Sequence, residues 1–221
     1  MSPSPRILRQ PVPSQHAGFT LVELLVVIAI LAILVGLLLP VIAVVKEHTR
    51  KVQAGNDEKQ IVLAITNYFT EYGKYPVDSA AKPGDPVYST DNNAVLDVLR
   101  NVTGSAIGNK MNARAVSYLS VRAASNQTAP RDGLQISTGV WFDPWGSPYN
   151  IAVDGNYDNQ INSPSPLPNF YSDAGAFQLG SIVWAFGKNG QLGGGPAANS
   201  AFSSEPGTPG KFAGSGDVGS W

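Results

Sequence analysis

The 221-residue chain is 43% hydrophobic and 14% charged, with 23 Gly and 17 Pro, which suits one modest globular domain plus extensions. A formal charge of -1 leaves no cationic excess to neutralise a phosphate backbone, so nucleic acid is not expected as a partner. The chain has no Cys, which excludes disulfides, thiolate metal sites and a cysteine nucleophile, and only two His, His16 and His48, for imidazole chemistry.

Residues 1–18 contain Pro3, Pro5, Pro11 and Pro13, carry Arg6 and Arg9, hold no acid, and cannot form a stable helix. Gly18 then abuts Phe19-Thr20-Leu21-Val22-Glu23, and from Leu24 to Val45 there are 22 consecutive residues without a charge. That run reaches the roughly 20 residues needed to cross a bilayer core. A buried core helix would not need to be apolar on every face. A removable secretory signal would be only ~7 to 15 apolar residues long with a small-residue cleavage site, whereas this run ends in Val44-Val45-Lys46. A membrane helix over about 24–45 is expected, with the Glu23 carboxylate at its lip, where an unpaired ionised group is costly to insert.

The run Gly18-Phe19-Thr20-Leu21-Val22-Glu23-Leu24-Leu25 resembles the prepilin processing site of type IV pilins and type II secretion pseudopilins. The resemblance implies that residues 1–18 are a leader, that a prepilin peptidase/methyltransferase cuts between Gly18 and Phe19, and that Phe19 becomes N-methylated. Pro40 falls where many members of the family also carry a helix-disturbing proline. Cleavage would create a cationic amine at Phe19, and Glu23 of one subunit can neutralise that amine on its neighbour in a low-dielectric filament core. Without the flanking motif, Glu23 reads as a headgroup-level residue with water access. Gly36 and Pro40 loosen the same stretch and can act as a point of local melting, or are simply tolerated as in other membrane helices.

The helical pattern continues beyond Lys46. Val52, Ile61, Ile65, Tyr68, Phe69 and Tyr72 suggest one apolar stripe, and no proline occurs from Val41 to Tyr75. One helix over 19–72 is therefore expected, about 80 Å long at 1.5 Å per residue. Gly73 should cap it and Pro76 should end it, and similar Gly-x-Tyr-Pro endings close the long helix in many pseudopilins. The charge count, with Lys46, Arg50 and Lys51 after the apolar run against two Arg before it, favours a cytoplasmic carboxyl-terminal side. The prepilin resemblance implies the opposite: a single-pass protein of the bacterial inner membrane with residues 73–221 as a periplasmic head.

Within those residues, 91–100 reads as a short capped helix with Val95, Val98, Leu99 and Val102 on one side. Strands are expected at 149–153 and 176–186, separated by a Pro and Ser loop at 162–169. Ten Gly and three Pro among the 35 residues from Gly187 to Trp221 read as loop or disorder unless something staples them. The segment Asp143-Pro144-Trp145-Gly146-Ser147-Pro148-Tyr149 is similar to a turn of major type II secretion pseudopilins that leads into the first strand of the sheet, and Trp145 can cover the sheet edge. The expected fold is α+β and pilin-like, a long amino-terminal helix packed on a small antiparallel sheet with a glycine-rich carboxyl-terminal loop.

Two places suit calcium. Asp154, Asn156 and Asp158 put oxygens at alternate positions, as at the start of an EF-hand loop, although Ser165 stands where that loop needs Glu, and a polar hairpin explains the same residues. The segments containing Asn189 and Asp217 resemble the two ends of the calcium loop of major pseudopilins, with fewer acids than that family usually carries. No Gly-x-Ser-x-Gly, phosphate loop or zinc-binding helix motif occurs and neither His lies in the head, so an enzyme is not expected. The resemblance implies a homopolymer that works with an inner-membrane secretion platform and minor pseudopilins. The alternatives are a type IV pilin for adhesion, motility or DNA uptake, and a membrane-anchored binding module that never polymerises.

Overall fold

The computed structural model describes residues 20–78, 84–102, 108–161, 176–190, 193–195, 205–209 and 216–221. The leader, Gly18 and Phe19 lie outside these residues, as does the loop expected at 162–169. The chain divides after Lys46 into two compact units.

Helix α1, Leu21–Tyr72, has 52 residues, as the uninterrupted helical pattern requires. All residues from Leu21 to Lys46 are exposed, and this stretch is long and apolar enough to cross a membrane. Helical geometry continues through Pro40, whose missing N–H would have bonded the carbonyl of Gly36, four residues back. Gly73 closes the helix as expected. It adopts φ 64° and donates its N–H to the Phe69 carbonyl at 2.7 Å.

Beyond Glu47, α1 buries Ala54, Glu58, Ile61, Ala64, Ile65 and Tyr68, a stripe with steps of three and four residues. Val52 does not belong to it and is 50% exposed, because two residues before Ala54 correspond to about 200° around the helix. Phe69 and Tyr72 are half-buried at its margin. Glu58 is the carboxyl-bearing member of the largest fully buried side chains among the described residues.

Around this half-helix fold strand β1 (Val87–Tyr88), helices α2 (Asn93–Arg100) and α3 (Gly108–Met111), strands β2 (Gly133–Leu134), β3 (Trp141–Phe142), β4 (Asn150–Val153) and β5 (Ser181–Ala185), a 3-10 turn at Gly187–Asn189, and strands β6 (Gly193–Gly195), β7 (Glu205–Pro209) and β8 (Val218–Gly219). The main sheet has the order β1-β4-β5-β8 with every neighbouring pair antiparallel, and Ile151 faces Val183 across β4 and β5. β2 pairs with β3, and β6 with β7, as separate two-stranded ribbons. The expected α+β architecture, a long helix with a small antiparallel sheet, is the one found.

Side chains of β4 and β5 alternate between two apolar clusters, as period two demands. Ile151, Val153, Val183 and Ala185 join the α1 stripe and α2, while Ala152, Ile182 and Trp184 pack with Ile161 and Phe177. Both strands are thus covered on both faces. The described end of the last segment, read as loop, joins the main sheet. Val218 pairs with Ala185, the Ser220 N–H donates to the Val183 carbonyl at 3.0 Å, and a Val218 methyl lies 3.7 Å from where a Cβ on Gly55 would stand.

Helix α2 buries Val95, Leu96, Val98 and Leu99, whereas Val102 is only half-buried. Its expected side-chain cap is absent. Asn92 instead reaches across the fold, its amide donating to the Trp141 and Tyr149 carbonyls at 3.0 and 2.9 Å and its carbonyl accepting the Trp141 N–H at 3.1 Å. A fully buried Asn must satisfy both ends of its amide, and two strands supply more partners than one helix end.

Candidate functional site

The amino-terminal site begins at Thr20, immediately before α1. Its hydroxyl oxygen accepts the Glu23 N–H at 3.2 Å, and Glu23 Oε2 accepts the Thr20 N–H at 2.8 Å and the Thr20 hydroxyl at 2.9 Å. This is a reciprocal capping box, in which a Thr and a Glu three residues later satisfy each other's orphan donors at the helix start. Glu23 is exposed and tied to its own helix end in the single chain. The Thr-x-x-Glu spacing of this box is visible in the sequence at Thr20 and Glu23. Pro40 stands 17 residues further along the same helix, again with an exposed side chain. No described contact joins it to Glu23.

The second site is the turn after β3. Asp143 is fully buried, and its Oδ1 accepts the N–H groups of Trp145, Gly146 and Ser147 at 2.9, 2.7 and 2.9 Å. Gly146 sits at φ 104°, which a side chain would strain. Trp145 is nearly fully buried. It lies in the main core, and its Nε1–H donates to Glu47 Oε1 on α1 at 2.9 Å. An indole with one donor must find an acceptor when buried, and the helix provides it.

Two residues beyond the turn's end, the Tyr149 hydroxyl donates to Asp57 Oδ2 at 3.0 Å, and the Tyr149 ring meets Trp141 edge-on with centroids 5.5 Å apart. Glu47 and Asp57 lie ten residues apart, about 15 Å along α1, so turn and strand are anchored at two levels of the helix. Burial raises the Asp57 pKa, offset in part by the Tyr149 hydroxyl and by Arg122. The sequence resemblance located the turn, but nothing in the spacing named Glu47 and Asp57 as its acceptors.

In the first of the two calcium candidates, the side-chain oxygens accept amides of their own turn. Asp154 accepts the N–H groups of Asp158 and Asn159 at 3.2 and 2.9 Å, Asn156 accepts that of Asp158 at 2.9 Å, and Asp158 accepts that of Gln160 at 2.9 Å. Tyr157 and Asn159 have positive φ, so the segment is a tight polar turn whose oxygens point inward on its own amides.

At the second candidate, a Cβ on Gly187 would lie 2.6 Å from the Gly216 carbonyl oxygen, so the segments bearing Asn189 and Asp217 are in direct contact, and both side chains are buried. That adjacency fits a hard cation. The acid count does not favour tight binding, since among the described residues no group of three or more His, Asp or Glu could hold a metal ion.

Residues 13–39 match the family described as the prokaryotic N-terminal methylation motif. No curated protein and no solved structure matches the chain. The matched residues bracket Gly18, Phe19 and Glu23 and run into the apolar part of α1. The chain therefore carries a prepilin-type methylation motif at the start of a long apolar helix.

Proposed function

We propose that the chain is a structural subunit of a type II secretion pseudopilus. The observation that carries this reading is the prepilin-type motif at residues 13–39 placed on a helix whose first half is apolar on all sides. In this reading the peptidase removes residues 1–18, Phe19 is methylated, and the mature helix remains in the inner membrane with residues 73–221 in the periplasm. Extraction into a helical stack buries the apolar residues of α1 against neighbouring helices, and growth of that stack drives protein export. The secretion platform and minor pseudopilins are the partners this scheme requires.

The same motif serves type IV pilins. Support for the secretion class comes from the Asp143–Tyr149 segment, which resembles the corresponding turn of major pseudopilins and here fastens to α1 through Glu47 and Asp57. The contact of Gly187 with Gly216 further supports a weak calcium site near Asn189 and Asp217, with those two side chains and backbone carbonyls as donors. Titration calorimetry of the full chain in detergent should show calcium binding that is lost in Asp217→Asn; no heat at millimolar calcium rejects that site. The filament reading is tested by crosslinking in membranes. Wild type should give a ladder of multimers, and a chain that stays monomeric while processed and fully active would instead be an anchored binding module.

A further inference from the structure

Every other fully buried residue on the stripe of α1 is Ala, Ile or Tyr; the remaining one is Glu58. Neither of its carboxyl oxygens has a hydrogen-bond partner of ordinary geometry, although the Ala185 N–H of β5 favours its charged form. Asp143, also fully buried, commits Oδ1 to the three amides of its turn and leaves Oδ2 without a partner. The charge of Asp143 opposes ionisation of Glu58.

The surroundings do not neutralise two charges. On α1, Asp57 adds negative charge and Lys59 is exposed. From the loop before β2, Arg131 acts on Asp143, and Arg122 acts on Asp57. From the residue just before β4 comes the Tyr149 hydroxyl, already donated to Asp57, and β8 offers Val218 and Gly219, which carry no charge. Two ionised carboxylates in such a place would lack water and have only the exposed Lys59 and Arg131 as counter-charges, whereas a single proton removes most of the penalty.

We propose that Glu58 and Asp143 form a proton-dependent clasp between α1 and the turn at residues 143–147. With Glu58 protonated, the turn seats on the helix and the Trp145–Glu47 and Tyr149–Asp57 bonds close; with both acids ionised, repulsion lifts the turn away. Burial, reinforced by Asp143 and Asp57, pushes Glu58 up to about 9. Burial also raises Asp143 to about 7 against the pull of its three amides. Because the two titrate as a coupled pair, the protons belong to the pair.

Both folded values lie above those of the unfolded chain, so seating the turn takes up protons. The clasp is strongest below the ordinary carboxylate range and weakens as pH rises from there to about 9. The clasp does not depend on the chain being a pilus subunit.

The test is hydrogen exchange at the amides of residues 145–147 in the full chain in detergent, corrected for intrinsic rates, between pH 5 and pH 9. Wild-type protection should fall, approaching about tenfold per pH unit where one proton is released. Glu58→Gln should lose the part of the fall above about pH 7 and keep only the part below it, where Asp143 still titrates. Flat wild-type protection, or an equal fall in Glu58→Gln, overturns the proposal. A second measurement needs no variant: carbon-detected NMR of labelled glutamate should show one carboxyl still protonated at pH 7. If every glutamate titrates within the ordinary carboxylate range, the clasp does not exist.

Discussion

Glu23 has two separable tasks. In the single chain it completes a capping box with Thr20, and in the proposed filament it neutralises the amine of a neighbour's Phe19. Gln can serve the first task but carries no charge for the second. Glu23→Gln should therefore keep the helicity of the detergent-solubilised monomer by circular dichroism yet lose crosslinked multimers as completely as Glu23→Ala; normal multimers in Glu23→Gln would show that charge pairing does not select neighbours. Thr20→Ala should lower stability by about 1 kcal/mol through loss of the cap alone. Asp143→Ala, which strips three amides of their acceptor, should lower the stability of the head by about 2–3 kcal/mol in denaturant titrations, and Asp143→Asn by less because its carbonyl still accepts. The motif that spans Gly18–Glu23 is readable in the sequence because its residues are contiguous. Glu58 is not, since an acid on an amphipathic helix counts as solvated until the partners of that face are known.

Elements differ in how far local pattern determines them. Helix α1 follows from an unbroken run of helical residues and from Gly73 with Pro76 at its end, and β4 and β5 follow from clustered β-branched and aromatic residues. β1 and β8 are two residues each, too short for any alternation to register, and exist because a neighbouring strand supplies hydrogen bonds. The glycine-rich tail hides an ordered end for the same reason. Gly187 has φ 68° and would place a Cβ against the Gly216 carbonyl, so Gly187→Ala should push residues 216–221 off the sheet. Hydrogen exchange should then accelerate at the Val183 and Ser220 amides, which bond across that edge, while those of β4 stay protected; unchanged exchange would mean the tail is not held through this contact.

For the molecule as a whole, the prepilin-type motif, the apolar half of α1 and an α+β head fastened to the other half by Trp145 and Tyr149 compose one proposed scheme of anchoring, processing and assembly. The prepilin-type motif and the apolar helix that follows it are readable from the first 45 residues because both are written in contiguous sequence. The anchoring of the head was not, because it depends on side chains nearly 100 residues apart. The most direct test is the intact mass and amino-terminal residue of the protein extracted from membranes of cells that make it. A chain that starts at Phe19 and carries one added methyl group is the result expected, and a chain that still starts at Met1 in those membranes would contradict the account.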